Sequence, residues 1–293
     1  MPHATPPGRT LSFATWNVNS IRARVDRVAA WLSRTDVDVV AIQETKATDA
    51  KFPHQVFADL GYEVAHHGIS QWNGVAILSR VGIENIEIGF PGMPTYGEPA
   101  VSEARAIGAT CGGLRIWSLY VPNGRTVGDP HFHYKLDWYE ALRVQAREWL
   151  TADPDARIAL CGDFNVAPTD EDVWDMAAFV GSTHVTDEER SAYRGLVAAG
   201  YADVVRPHTP GPGVFTYWDY QQLRFARRQG MRIDFALCSP ALAAMVELAL
   251  IDRDERKGTG ASDHAPVIVR TSAPVPGATF DLASDNEPRR EHS

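Results

Sequence analysis

Apolar residues recur along this chain in two spacings. Over residues 21–33 they return every three or four positions, with Ile21, Val25, Val28, Ala29 and Leu32 on one side, which predicts an amphipathic helix. Residues 136–150 predict the strongest such helix. A short one closes over 56–60 with Gly61 as its stop, and another covers 188–199 before Gly200. Elsewhere the apolar residues come in short β-branched runs set off by Gly, Pro and Asn. Residues 11–17, 37–42, 62–66, 74–78, 83–88, 104–110, 114–121, 157–161, 233–238, 246–250 and 267–269 read as strands. Strands outnumber helices, and the helices fall singly between strand groups. That predicts an α/β chain with two mixed sheets packed face to face and helices outside, and periodicity leaves two separate domains open. Residues 1–9 and 272–293 carry no period and read as disordered tails around one domain over 10–271.

Composition narrows the class. Of 293 residues, 44% are hydrophobic and 22% charged, which a globular core needs and a disordered chain lacks. Cys111, Cys161 and Cys238 are widely spaced and form no C-x-x-C pair, so they read as buried thiols in a reducing compartment. The first residues are Pro-rich and polar without an apolar run, unlike a secretory signal, and no run has membrane-spanning length. A soluble, cytoplasmic protein is expected, and a monomer, since no zipper pattern appears. The formal net charge of −9 argues against a polyanionic partner unless the bases are segregated.

The chemistry lies at the ends of the predicted strands. Gly162-Asp163-Phe164-Asn165 and Ser262-Asp263-His264-Ala265-Pro266 each set a carboxylate where an apolar run stops. Trp16-Asn17-Val18-Asn19-Ser20, Gln43-Glu44-Thr45-Lys46 and Arg232-Ile233-Asp234-Phe235 do the same. Each alone is an ordinary polar strand end. Together they supply hard oxygen donors for a divalent cation such as Mg²⁺ or Mn²⁺, and an imidazole beside them. Glu44 reads as the main ligand, Asp163 as a carboxylate able to orient or deprotonate a water, and Asp234 as the partner that fixes the tautomer and charge of His264. Tyr120 closes a strand just before Val121-Pro122-Asn123-Gly124, where its phenol could meet a phosphate oxygen; an edge aromatic is the plainer reading.

In this order the motifs resemble the exonuclease III type of apurinic/apyrimidinic endonuclease, within the metal-dependent phosphoesterases of DNase I-like fold. Trp-Asn-Val-Asn-Ser, Gln-Glu-Thr-Lys, Tyr-Val-Pro-Asn-Gly, Gly-Asp-Phe-Asn-Val-Ala-Pro, Arg-Ile-Asp-Phe and Ser-Asp-His-Ala-Pro carry the resemblance over residues 11–270. It implies a four-layer α/β/β/α sandwich. It also implies Mg²⁺-dependent hydrolysis of the DNA backbone 5′ to an abasic site, leaving a 3′-hydroxyl, with 3′–5′ exonuclease and removal of 3′-blocking groups on double-stranded DNA. By motif match Asn17, Glu44 and Asp263 fall at metal-site positions, Tyr120 at a phosphate contact, Asp163 and Asn165 where the attacking water is held, and Asp234 with His264 as the acid–imidazole pair. Asn19 stands where certain relatives carry aspartate. Tyr217 falls at the aromatic position of the sugar pocket, and Met231 where some relatives carry tryptophan.

The bases are segregated as DNA binding requires. Arg22, Arg24, Lys46, Arg125, Arg224, Arg227, Arg228 and Arg232 lie in or beside the motif loops, with Asn123 among them, while the acids gather at 170–175, 187–189 and the C-terminal tail. Aromatics interleave with arginines over 215–232, as on a surface that stacks sugars and bases. Two rivals remain at this point: a phosphoesterase of lipid or inositol phosphates, and a catalytically silent DNA-binding module.

Overall fold

In the computed structural model, which describes residues 10–274, the chain runs β1 (Thr10–Asn17), α1 (Ile21–Thr35), β2 (Val39–Gln43), α2 (His54–Ala58), β3 (Glu63–His67), β4 (Val75–Ser79), β5 (Glu84–Ile88), β6 (Ala106–Cys111), β7 (Leu114–Tyr120), α3 (Pro130–Ala152), β8 (Ile158–Asp163), α4 (Asp187–Ala198), β9 (Ala202–Asp203), β10 (Asp234–Cys238), α5 (Pro240–Ala243), β11 (Val246–Ile251) and β12 (Val267–Pro274). The strands form two six-stranded sheets, ordered β11-β12-β1-β2-β4-β3 and β5-β6-β7-β8-β10-β9. The β1/β2 pair is parallel in the first sheet and β7/β8 in the second; the other paired strands are antiparallel.

Alternation along the strands divides the apolar residues among three interfaces. Leu11 and Phe13 of β1, Val39 and Ala41 of β2, Ile116 of β7, and Ala159 and Cys161 of β8 point between the sheets. Ala14 and Trp16 of β1 point the other way, onto Ile21, Val28, Trp31 and Leu32 of α1. Trp117, Leu119, Leu160 and Leu237 leave the second sheet on its far side, against Trp138, Tyr139 and Leu142 of α3 and Leu196 of α4. Three interfaces make four layers, helix–sheet–sheet–helix, as expected for the DNase I-like class. All three cysteines are buried and free, Cys111 and Cys238 joining Cys161 between the sheets.

Several boundaries differ from the sequence reading. β12 does not stop near residue 269, nor does order end at 271. The strand continues to Pro274 because Thr271 donates its hydroxyl to Leu11 O at 2.8 Å and Ala273 is buried on the same face. These small side chains carry no visible apolar period. β8 runs through Gly162 to Asp163 rather than ending at residue 161; a Cβ at position 162 would lie 1.8 Å from Leu119 O, so glycine lets β7 and β8 pair this closely. α3 begins at Pro130, six residues before the predicted start, because Asp129 caps it by accepting from His131 N at 2.7 Å and proline opens the first turn. The expected tail at 1–9, and the expected tail at 272–293 from residue 275 on, lie outside the described residues. Among the described residues no helix is long and apolar enough to cross a membrane.

Candidate active site

Register gathers the site. Across three adjacent strands of the second sheet, Asp163 of β8 sits opposite Tyr120 of β7 on one side and Asp234 of β10 on the other. In the first sheet, Asn17 of β1 pairs with Gln43 of β2, so Glu44 is the first residue beyond that edge. The loop bearing Asp263 and His264 enters β12, which pairs with β1 beside it. Because β1 and β2 are parallel, and likewise β7 and β8, their C-terminal ends open on one mouth. A buried chain joins the sheets beneath it: Thr15 Oγ1 donates to Gln43 Oε1 at 3.1 Å, Gln43 Nε2 to Ser118 Oγ at 3.0 Å, and Ser118 Oγ to Ile42 O at 2.8 Å.

Glu44, Asp163 and His264 bring donor atoms within 4.8 Å of one another. Asn17 lies between the two acids and presents its nitrogen, donating to Glu44 Oε1 at 2.9 Å and to Asp163 Oδ2 at 3.0 Å, while its Oδ1 accepts from Asn19 N at 3.0 Å. Asn17 therefore bridges the carboxylates through its amide. His264 Nδ1 sits 2.8 Å from Asp234 Oδ2, and its Nε2 3.7 Å from Asp163 Oδ2. The Asp163 carboxylate is aimed by Asn165 N, which donates to Oδ1 at 2.9 Å. Asp263 lies outside this cluster, accepting from Asn19 Nδ2 at 3.0 Å, and Lys46 Nζ sits 2.7 Å from Glu44 Oε2.

Several backbones here are left-handed without glycine: Asn19 at φ 45°, Glu44 at φ 52°, Lys46 at φ 49° and Asn165 at φ 49°. Each such conformation costs on the order of 1–3 kcal/mol and persists only where the surroundings over-determine it. Glu44 O accepts from Ser20 N at 2.7 Å, and Asn165 Nδ2 donates to Val121 O at 2.9 Å. That last bond leaves Asn165 Oδ1 facing Asn123 Nδ2, which donates to it at 3.1 Å, and His184 Nε2 at 2.9 Å.

Burial and crowding of acids push the Asp163 carboxyl up to about 7, with Asp234 and Glu44 raising it and His264 opposing. Burial would lower His264, but the Asp234 and Asp163 carboxylates outweigh it and hold the imidazole protonated up to about 10. Burial would raise Glu44; the Lys46 charge and the Asn17 amide bring it below the usual range. Burial, together with the Glu44 and Asp163 charges, holds the Tyr120 phenol well above its usual range, so it remains a donor.

Beside His264 opens a cavity of about 460 Å³, lined by Tyr217, Met231, Trp174, Phe179, Arg125 and Arg224 among others. The Tyr217 and His264 rings lie 4.9 Å apart, and Tyr217 and Met231 exchange backbone hydrogen bonds of 2.9 Å. Arg22, Arg227 and Arg228 are exposed, and Arg224 stacks 5.2 Å over Trp174. Arg232 does not join this rim. It is 3% exposed, with Nε 2.6 Å from Asp172 Oδ1 and NH1 2.5 Å from Asp203 Oδ2; packing turns it into the body of the protein to neutralise a buried acid.

The sequence reading missed residues that support the site. Arg105, 4% exposed, lies 4.9 Å over the Tyr120 ring and donates to Tyr120 O at 3.3 Å. Its signal was a lone arginine inside an apolar strand. His184 and Trp174 come from a segment without periodicity and left no signal.

Comparison with known proteins agrees with this geometry. A model of the Endonuclease/Exonuclease/phosphatase family matches residues 14–264. Exodeoxyribonuclease III of Haemophilus influenzae is 31% identical over 272 residues, covering 88% of this chain and 98% of the relative. Among solved structures, a Neisseria 3′ phosphatase, NExo, bound to a product DNA hairpin superposes with a TM-score of 0.83 at 33% identity, covering 89% of this chain and 99% of that one. An AP endonuclease from Archaeoglobus fulgidus gives 0.82 at 33% identity, with the same coverage of both chains.

Proposed function

The chain belongs to the Endonuclease/Exonuclease/phosphatase family, and from that premise we propose that it is a DNA-repair nuclease that hydrolyses phosphodiesters of double-stranded DNA. Its substrates on this reading are abasic sites, cut on the 5′ side to leave a 3′-hydroxyl, and blocked or paired 3′ ends. The observation that carries the reading is the buried imidazole of His264, held by Asp234 and facing Asp163, with Glu44 within a few ångströms. A binding module has no use for buried acids in a phosphate site. The cavity flanked by Arg125 and Arg224 supports a nucleic-acid substrate over a lipid head group.

The donor set fits a hard divalent cation. Two carboxylates face one another, and burial with crowding leaves one of them short of compensating charge. Glu44 would be the principal holder of Mg²⁺ or Mn²⁺, with Asp163 the nearest second carboxylate and Asp263 further out. Bound there, the ion supplies Lewis-acid polarisation of the phosphate and neutralises its charge.

The rest is done by the chain. Asn17 and the Asn165 N–H fix the Asp163 carboxylate, which takes the proton of the water attacking phosphorus; as the new P–O bond forms, the bond from phosphorus to the 3′-oxygen breaks, and the departing oxygen takes a proton from solvent to become the 3′-hydroxyl. His264 Nε2–H donates to a non-bridging phosphate oxygen as negative charge builds on it, while Asp234 holds the ring in register. The Tyr120 hydroxyl hydrogen-bonds a second phosphate oxygen. Tyr217 and Met231 cover a sugar in the adjoining cavity, and Lys46, Asn123, Arg125, the half-buried Arg224 and the exposed Arg22, Arg227 and Arg228 contact the backbone.

The test is incubation with three duplexes, carrying a central abasic analogue, a 3′-phosphate or a recessed undamaged 3′ end, each with and without EDTA. Metal-dependent cleavage of the first two is expected. No cleavage of any, beside hydrolysis of inositol phosphates, would overturn the reading.

A further inference from the structure

Under the catalytic loops lies a lysine with no exposed side chain. Lys135 on α3 and Glu189 on α4 are both fully buried and paired. An ammonium has three protons to give and accepts none. Lys135 Nζ gives one to Asn165 O at 2.6 Å, one to Asn123 O at 3.2 Å and one to Glu189 Oε1. Glu189 is as fully used: its Oε1 also accepts the Thr183 hydroxyl at 2.5 Å, and its Oε2 accepts the amide and hydroxyl of Thr186 at 3.2 and 2.9 Å. The loop after β7 lies directly against this pair, since a Cβ at Gly124 would come within 3.1 Å of Lys135 Cδ.

The two carbonyls belong to loops from neighbouring strands, and both residues serve the site. The Asn165 backbone is held through the peptides on both sides of its Cα. Its N–H points at Asp163 Oδ1, its carbonyl is drawn down by Lys135, and its φ of 49° would not persist without such restraint. Asn123 then closes the loop-to-loop contact by donating to Asn165 Oδ1.

We propose that Lys135 is a positioning residue: its ammonium, locked by Glu189, sets the backbones of Asn123 and Asn165 and, through Asn165, the aim of the Asp163 carboxylate. The proposal rests on the role given to Asp163 above. It differs from a purely structural ion pair in a measurable way. Buried pairs replaced by uncharged groups of similar volume often lose no stability, whereas removing one partner leaves an uncompensated charge.

The experiment compares Lys135→Met with the double variant Lys135→Met/Glu189→Gln, by thermal melting and by steady-state cleavage of the duplex the wild type cuts best. The single variant melts well below wild type. The double variant recovers most of that loss, yet its kcat is about 100-fold lower with KM within about threefold, the signature of a misaimed reacting group. Lys135→Arg, which keeps a charged donor, restores part of kcat. Wild-type kcat in the double variant would make the pair structural only and overturn the proposal. So would a crystal structure of the double variant in which Asn165 and Asp163 have not moved, whatever the wild type hydrolyses. A wild type inert towards every duplex would instead overturn the hydrolytic reading, so the two failures are distinguishable.

Discussion

His264 Nδ1 lies 2.8 Å from Asp234 Oδ2, and neither side chain is more than 4% exposed. Asp234 is in turn fixed by its own strand, directly opposite Asp163. Burial works against a charged imidazole, but the two carboxylates hold His264 protonated up to about 10. Cleavage should therefore be lost as pH rises through that region. Asp234→Asn removes one of the charges, and its alkaline limb should move to lower pH with kcat reduced by about 10²–10³-fold. A pH–rate profile checks this, and an unshifted alkaline limb would contradict it.

Glu44, Asp163 and His264 form one cluster, and each should be individually necessary. Glu44→Ala, Asp163→Asn and His264→Ala are each expected to lower cleavage of an abasic duplex by at least about 10²-fold under saturating metal. Glu44→Gln should also raise the half-saturating Mg²⁺ concentration by about 10- to 100-fold, as read from a metal titration. Wild-type turnover in any of the three would remove that residue from the mechanism.

The arginines of the 224–232 segment divide by burial. Arg227 and Arg228 are exposed, so Arg227→Ala or Arg228→Ala should weaken DNA binding evenly across sequences and reduce the salt slope by about one. Arg232 is buried against Asp172 and Asp203. Its alanine variant should leave the salt slope unchanged and lose on the order of 3–5 kcal/mol of stability instead. Binding isotherms at several salt concentrations, with melting curves, separate the two behaviours.

Buried histidines, His66 and His131 among them, set an acid limit. Burial lowers His66 to about 4 and His131 to about 4. Above pH 6.5 neither state is protonated and their contribution is complete. As pH falls from about 6.5 towards 4 the unfolded chain takes up protons that the folded chain refuses, so stability is lost. Asp163, raised to about 7, acts oppositely across part of this range, so the histidine effect is read by difference. The stability deficit of His66→Gln relative to wild type should narrow between pH 7 and pH 5, and a constant deficit would contradict this.

The sequence offered the candidate residues of this site as polar strand ends but not how they meet. Glu44, Asp163, Asp234 and His264 stand where apolar runs stop, and that is a local property of strands. The mostly buried strands and the amphipathic helices likewise announced two sheets with helices outside. The end of β12 was hidden because Thr271 and Ala273 are buried by what they touch, not by an apolar pattern. Arg232 shows the same limit in charge: beside Met231 it looks like part of the rim, and only Asp172, 60 positions earlier, makes it an internal counter-ion.

What tertiary structure alone decided is which strand ends meet. The register that sets Tyr120, Asp163 and Asp234 side by side joins segments separated by tens of residues, and nothing within a strand encodes its neighbour. It also decided that Asn17 turns its nitrogen to the acids and that Lys135 lies beneath both asparagines. These follow from distances and dielectric surroundings, which exist only once the two sheets have closed on each other.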